Sequence, residues 1–280
     1  METQETRNEI TLVLGGTGKT GRRVAGQLRA TGHGVRIGSR SAFPAFDWDR
    51  EETWEIAIKG ASNIYITYTP DLAMPGAVDA IAALVRHAKR AGVKRLVLLS
   101  GRGEAEAQAC EQIVMDAGLE WTIVRASWFN QNFSEGAFVD MVRSGVITLP
   151  AGDTPEPFVD VDDIADVVVA ALTQKGHAGE VYEVTGPRLM TFTDIARELS
   201  QSTGNNINYV DVPHDAFVES VRESGAPDDV VWMLDYLFAT VLDGRNAHVT
   251  DGVERALGRP ARDFADYARD TATEGCWRVQ

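Results

Sequence analysis

The chain has 280 residues, a composition ordinary for a globular protein, and a formal net charge of −14 at pH 7. This acidic balance argues against a surface that binds nucleic acid or anionic lipid, because both need clustered Lys and Arg. The first six residues are polar and acidic, unlike a secretory signal, and no apolar run is long enough to cross a bilayer, which predicts a cytoplasmic protein.

The N-terminal half alternates β-rich apolar runs with helical patterns. Strands are predicted at 10–14, 35–38, 63–67, 95–100 and 121–125, and helices at 19–31, 74–91, 104–117 and 161–174. Near-continuous apolar strands separated by helices indicate a parallel sheet that is covered on both faces. The pattern therefore predicts an α/β fold with a Rossmann-type, doubly wound parallel sheet.

Beyond about residue 126 the pattern changes. Residues 145–160 are rich in loop residues, 180–185 predict one further strand, and 192–272 are mainly helical. We expect a Rossmann domain at 1–150, with 159–185 returning to it, and a smaller, mostly helical cap domain at 151–280. Within the latter, the apolar stretch 230–238 fits a core helix, the wall of a substrate pocket or a homodimer face.

The first strand runs directly into a glycine-rich turn, GGTGKTG. Its Gly18-Lys19-Thr20 resembles the end of an ATP-binding P-loop, but the first P-loop glycine would fall on Val13 inside the strand. Gly15, Gly18 and Gly21 instead fit the dinucleotide-binding pattern, in which helix N–H groups face a pyrophosphate. In such a loop Lys19 either lies over the pyrophosphate or is a solvated lysine of the first helical turn.

The end of the second strand indicates the type of dinucleotide. NAD-preferring sites place Asp or Glu there to bind the ribose 2′-hydroxyl, whereas this chain has Ser39-Arg40-Ser41. A guanidinium and two hydroxyls suit a 2′-phosphate, so the sequence favours NADP(H). Arg36 is a weaker candidate for that phosphate, because strand alternation could point it away.

Other polar residues have structural alternatives. Ser100, after the fourth strand, either bonds the substrate or the nicotinamide ribose, or belongs to a structural turn. The acids between 160 and 166 are interpreted as partners of a helix dipole. The five histidines are scattered, and the two cysteines, Cys110 and Cys276, show no paired spacing, so we expect neither a metal site nor a disulfide framework.

Five stretches carry a family resemblance: GGTGKTG at 15–21, DW at 47–48, GLEWTIVRASWFNQNF at 118–133, VDVDDIADVVVAAL at 159–172 and GEVYEVTGPRLMTFTDIA at 179–196. Together they resemble the NmrA-like branch of the atypical short-chain dehydrogenase/reductases over nearly the whole chain. That family includes quinone and dye reductases, phenylpropanoid reductases, and members that bind NADP without known turnover.

The resemblance implies positions for three sets of residues. Those expected at the pyrophosphate and the 2′-phosphate are Thr17, Gly18, Lys19, Thr20 and Arg40. Those expected along the adenosine are Asp47, Trp48, Thr67, Tyr68 and Thr69. Those expected near the nicotinamide and a small-molecule substrate are Trp128, Phe129 and Asn132.

The chain departs from the family in its proton-relay residues. None of its six tyrosines starts a Tyr-x-x-x-Lys motif, and the lysine that many NmrA-like reductases keep on the fourth helix would fall near Ala107. No catalytic residue is therefore assigned. The main hypothesis is an enzyme that transfers hydride from NADPH to an electrophilic quinone-, dye- or enone-like acceptor in a cleft between the two domains. The alternative is a non-catalytic NADP(H) sensor that acts through a protein partner.

Overall fold

The computed structural model describes residues 9–136 and 138–278, which fold into two compact units. Unit 1 runs to Arg125 and adds Ile164–Glu183 and Gly252–Gly258, while unit 2 holds Ala126–Asp163, Val184–Asp251 and the chain from Arg259. Residues 126–150, which the sequence analysis assigns to the first domain, thus lie in unit 2. The reason is packing, because apolar side chains of this segment, such as Phe133 and Ile147, belong to the core of unit 2.

Eight strands are present in the described residues: β1 Ile10–Leu14, β2 Gly34–Gly38, β3 Ala61–Ile66, β4 Arg95–Gly101, β5 Glu120–Ala126, β6 Val146–Leu149, β7 Glu180–Val184 and β8 Asn208–Asp211. Six of them form one sheet in the order β2-β1-β3-β4-β5-β7. The pairs β1–β2, β1–β3 and β3–β4 are parallel, with Leu14 opposite Gly38 and Ile66 opposite Leu98. The order reverses direction between β1 and β3, which is the switch point where open α/β sheets bind ligands.

The α-helices are α1 Lys19–Ala30, α2 Trp54–Ile58, α3 Ala77–Arg90, α4 Ala105–Met115, α5 Asn132–Glu135, α6 Val139–Ser144, α7 Val161–Thr173, α8 Phe192–Thr203, α9 His214–Glu223, α10 Asp228–Tyr236, α11 Gly252–Leu257 and α12 Phe264–Glu274. A 3₁₀ turn at Glu51–Thr53 leads into α2, and a π-helical turn at Leu237–Val241 follows α10. Helices flank the six-stranded sheet, which confirms the predicted Rossmann-type fold.

Helix α3 shows how an apolar helix face joins the core of unit 1. In α3, Ile81, Leu84, Val85 and Ala88 recur at spacings of three and four, and all are buried in the core that the strands share. This spacing places them on one stripe of the helix, so their burial favours the helix and its docking together. The sequence predicted all six strands of this sheet and helices α1, α3, α4 and α7, each within three residues at either end.

Unit 2 contains a second sheet that the sequence analysis missed. The four-residue strands β6 and β8 pair in parallel, with Val146 opposite Asn208 and Leu149 opposite Asp211. They lie in segments expected to be loop-rich and helical. Such short strands, about 60 residues apart in sequence, carry little local signal, because their pairing forms only when the unit folds.

An aromatic cluster forms the core of unit 2. The rings of Phe158 and Phe192 meet edge to face with centroids 5.4 Å apart, an arrangement that favours aromatic pairs. Part of the stretch 230–238 is also core, since Val231, Leu234 and Phe238 are buried, whereas Trp232 is exposed. Within the described part of the chain, no helix is both long and apolar enough to cross a membrane.

Candidate functional site

The glycine turn between β1 and α1 is closed by its own backbone. The Gly18 N–H donates to the Gly15 carbonyl at 2.8 Å. Gly15 has φ +61°, and a Cβ there would lie 2.2 Å from Thr67 Oγ1, whose hydroxyl donates to the Leu14 carbonyl at 3.0 Å. A Cβ on Gly21 would lie 2.2 Å from the Gly15 carbonyl oxygen. Both positions therefore need glycine, and the turn lies directly against helix α1.

The first turn of α1 is suited to an anion. Its N-cap is Gly18, no side chain caps its N–H groups, and it carries no acidic residue. Thr17 and Gly18 are exposed at this end, Lys19 is half-buried and Thr20 is buried. Uncapped N–H groups and the positive end of the helix dipole attract phosphate. The residues present thus fit the pyrophosphate of a dinucleotide, as the glycine pattern predicts.

The loop after β2 carries the candidate 2′-phosphate residues. The Ser39 carbonyl accepts bonds from the Ala42 and Phe46 N–H groups at 3.2 and 3.0 Å, which closes the loop. Arg40 is exposed and makes no ion pair with any described residue. Because Leu14 and Gly38 are paired across the strands, this loop and the glycine turn leave the sheet side by side.

Arg36 is held elsewhere. Its Nη1 donates to the carbonyls of Ala57 and Lys59, at the end of α2, at 2.7 Å each. These bonds direct the Arg36 guanidinium to the end of α2. Arg40 is therefore the candidate cation for a 2′-phosphate in the loop after β2.

An aromatic wall joins the Asp47-Trp48 segment to the residues after β3. The Trp48 indole Nε1 donates to the Thr67 carbonyl at 3.2 Å, and its ring lies 4.8 Å from the ring of Tyr68. The Asp47 carbonyl accepts from the Trp54 indole at 2.6 Å. The structure therefore brings the predicted adenine-side residues to the same edge of the sheet as the glycine turn. Thr69, beside Tyr68 in sequence, is exposed there.

Ser100 lies in a buried charged network that the sequence analysis did not find. Its hydroxyl donates to Glu111 Oε1 at 2.6 Å, and Arg125 binds the same carboxylate through Nε and Nη2 at 2.9 and 2.5 Å. Arg125 Nη1 also donates to Glu183 Oε1 at 2.7 Å. The Ser100 side chain is thus positioned by a structural ion pair.

Asp71 and Glu104 form a second acidic group that the sequence analysis missed. Glu104 is 4% exposed, and its carboxyl is hydrogen-bonded to that of Asp71. Burial is the main cause that raises the pKa of Glu104 to about 9, and the negative charge of Asp71 adds to it. No sequence motif marks this pair, because the two residues are 33 positions apart and meet only at the ends of adjacent strands.

The candidate substrate residues lie in unit 2. Trp128 is half-buried, and its ring lies 5.3 Å from Phe238 and 6.1 Å from Phe192. Phe129 is also half-buried and forms a β-bridge with Val159, while Asn132 begins α5. Of these three residues, Trp128 packs against the aromatic core of unit 2.

Asn130, between Phe129 and Asn132, is fully buried, and neither atom of its side-chain amide has a hydrogen-bond partner. The sequence analysis did not single it out.

In unit 2 the expected helix-dipole acid Asp163 instead binds the side chains of Arg259 and Arg262 at 2.7 and 2.6 Å. Residues 9–136 and 138–278 contain no group of three or more His, Cys, Asp and Glu that could hold a metal ion.

The fold and the glycine turn define a dinucleotide-binding α/β protein. Its sequence matches the model of the NmrA-like family over residues 45–267. The NAD(P)H azoreductase of Xenophilus azovorans is 30% identical over an alignment 280 positions long, which covers 92% of this chain and 96% of the relative. The chain belongs to the NmrA-like family, which confirms the resemblance seen in its motifs.

Solved structures that share its fold include a reductase and a regulator. An NADPH-dependent quinone oxidoreductase from Escherichia coli, complexed with NADPH, is similar with a TM-score of 0.75 and 22% identity, over 93% of this chain and 99% of that one. NmrA, a negative transcriptional regulator in complex with NAD, is similar with a TM-score of 0.72 and 17% identity, over 96% and 97%.

Proposed function

We propose that this NAD(P)H-dependent reductase uses NADPH to reduce a small conjugated acceptor, such as a quinone, a dye or an enone. The observation that carries the proposal is the uncapped, acid-free start of α1 beneath the glycine turn, with the exposed guanidinium of Arg40 in the neighbouring loop. NADPH supplies the hydride, and the protein binds and orients the reactants.

The preference for NADPH follows from charge. The loop after β2 offers Arg40 and the hydroxyls of Ser39 and Ser41, which lie 3.4 Å apart, and no acid between 39 and 46 would repel a 2′-phosphate. A charge-assisted bond from a guanidinium to phosphate contributes about 1.5–3 kcal/mol, so NADPH is expected to bind at least tenfold more tightly than NADH.

The acceptor class is supported by the relatives and by the aromatic residues of unit 2. The azoreductase and the quinone oxidoreductase are both named for conjugated acceptors. The half-buried indole of Trp128 offers an aromatic face to a planar ligand, with Phe129 and Asn132 as neighbouring contacts. The pyrophosphate is held by Gly15, Thr17, Gly18, Lys19, Thr20 and Gly21, and the adenosine by Asp47, Trp48, Thr67, Tyr68 and Thr69.

The activity is tested by following NADPH absorbance with a panel of quinones, azo dyes, cationic dyes and enals. Trp128→Phe should change KM and kcat for the acceptor, whereas the exposed Trp232→Phe should leave both unchanged. Tight NADPH binding without turnover across the whole panel would contradict the proposal and favour the sensor, a role suggested by the fold that the chain shares with the regulator NmrA.

Cofactor choice is tested by calorimetry on Arg40→Ala. This variant should lose about 10- to 100-fold in NADPH affinity and little in NADH affinity. The control is Arg29→Ala, which removes an exposed guanidinium from the last turn of α1. Equal losses for the two coenzymes in Arg40→Ala would show that this side chain does not bind the 2′-phosphate.

A further inference from the structure

Two carboxyl groups lie where β3 and β4 end. Asp71 follows β3 by five residues and Glu104 follows β4 by three, and the two strands are adjacent and parallel. The carboxyl ends of parallel strands meet at one edge of a sheet, the edge at which such folds bind their ligands. The same edge carries the glycine turn and Tyr68. The pair thus belongs to the cofactor side of unit 1.

Glu104 is held in place by the backbone beneath it. A Cβ on Gly101 would lie 2.2 Å from Glu104 Oε1, so the carboxyl group covers that glycine. Glu104 Oε2 is buried and has no hydrogen-bond partner among the described residues, and the carboxyl group of Glu104 as a whole interacts with that of Asp71. Asp71 is less enclosed, and its Oδ1 accepts the Ala73 N–H at 2.8 Å. Asp71 is therefore the member of the pair that is nearer to solvent.

Among the described residues, the titratable groups that act on this pair are two further acids and one thiol, and Arg125 is paired with one of those acids, Glu111. Besides Asp71, the charges of Glu106 and Glu111 act on Glu104, and the charge of Asp71 also acts on the Cys110 thiol. Burial raises the pKa of Asp71 as well, while the bond from Glu104 opposes that change. Among the described residues no ion pair is made by Asp71 or Glu104. Two carboxyls in contact share one proton when neither is paired with a cation. At neutral pH Glu104 carries it and donates to the Asp71 carboxylate.

We propose that the Asp71–Glu104 pair is the proton donor of the reduction, with Glu104 storing the proton and Asp71 passing it on. The inference rests on the proposed function. A neutral quinone or azo acceptor that receives hydride becomes an anion and needs one proton to form the stable product. Tyr-x-x-x-Lys is missing from the sequence, and α4 contains no lysine, so the pair supplies what those residues do not.

The step balances in atoms and charge. The acceptor gains the hydride that NADPH supplies and one proton from the pair. The O–H bond of the pair breaks, its electrons stay on the carboxylate, and a proton from solvent restores the acid. The sum is acceptor, NADPH and H⁺ giving reduced acceptor and NADP⁺.

The experiment compares two acceptors in Glu104→Gln. A neutral quinone needs hydride and a proton, whereas a cationic triphenylmethane dye becomes a neutral product on receiving hydride alone. Loss of a general acid costs about 10²- to 10⁴-fold, so kcat/KM for the quinone should fall by at least about 100-fold. The rate with the cationic dye should change less than about threefold. Asp116→Asn, which removes an exposed carboxylate just after α4, should change neither rate.

A second variant separates proton donation from a structural role. Asp71→Asn removes the group that passes the proton on, so kcat/KM for the quinone should fall. It also removes the charge that helps to raise the pKa of Glu104, so the alkaline limb of the remaining quinone rate should move from about pH 9 toward neutrality. Infrared spectroscopy without acceptor gives an independent readout. The wild-type NADPH complex should show a protonated carboxyl band at pH 7 that is lost in Glu104→Gln.

The outcomes are distinct. Equal losses with the quinone and the cationic dye, an unmoved alkaline limb in Asp71→Asn, or no protonated carboxyl at pH 7 would each overturn the proton-donor role. Wild-type protein that binds NADPH but reduces neither acceptor overturns the proposed function, and the proton-donor role with it.

Discussion

Helix α1 contains two glycines for which one substitution should have opposite effects. A Cβ on Gly21 would lie 2.2 Å from the Gly15 carbonyl oxygen and 2.8 Å from Gly16 Cα, while a Cβ on Gly26 would meet nothing within 4 Å. Because ordinary Cβ contacts begin near 3.4 Å, Gly21→Ala would force the helix and the turn about 1 Å apart. The atoms in the way are backbone, so no side chain can rotate to make room.

The expected magnitudes follow from these contacts. Gly→Ala inside a helix stabilises by about 0.5–1 kcal/mol, and Gly26→Ala should raise the free energy of unfolding by that amount. Overpacking costs about 1–3 kcal/mol, which outweighs the same gain at Gly21. The two variants should therefore differ by about 1–3 kcal/mol in stability, with Gly21→Ala the less stable. Opening the turn also displaces the phosphate-facing N–H groups, so this variant should lose at least about tenfold in NADPH affinity.

Urea denaturation gives the stabilities and calorimetry gives the NADPH affinities, with Gly26→Ala as the matched control. If Gly21→Ala were as stable as Gly26→Ala, the close approach of the turn to the helix would be refuted. If it also bound NADPH equally well, the role of the N-terminus of α1 in binding phosphate would be refuted.

Three further predictions concern stability. Glu111→Gln weakens a buried ion pair with Arg125 and should lower the free energy of unfolding, measured by urea denaturation, by about 3 kcal/mol. Glu120 is exposed, so Glu120→Gln should lower it by less than about 1 kcal/mol. Similar losses in the two variants would contradict the argument that burial makes the Glu111 pair the more important one. Burial raises the pKa of Glu104 to about 9, so the folded state holds this proton more tightly than the unfolded state. The free energy of unfolding should therefore fall as pH rises from about 4.5 to about 9. The unfolding midpoint should fall less steeply over this range in Glu104→Gln than in the wild type. Thr191→Val removes the capping box of α8 and should cost about 0.5–2 kcal/mol by thermal unfolding, and no loss would show that this cap is dispensable.

The parts of the fold that the sequence predicted are those with a local signal. Strand β1 and helix α1 were found because an apolar run, a glycine turn and a helical pattern follow one another within 21 residues. Strands β6 and β8 were missed, since each has four residues and its partner is about 60 positions away. Residues 126–150 group with unit 2 for a similar reason. Their assignment depends on which core their side chains enter, and this is a property of packing.

The sequence by itself determined the strands of the six-stranded sheet, the dinucleotide turn and the family, because each strand, turn and family motif consists of residues that are close together along the chain. Only the tertiary structure decided that Ser100 binds a buried carboxylate, that Trp48 joins the residues after β3, and that Asp71 meets Glu104. These contacts unite segments 11 to 33 positions apart. Parallel pairing brings the ends of adjacent strands together, and burial then sets the charge of the groups that meet there.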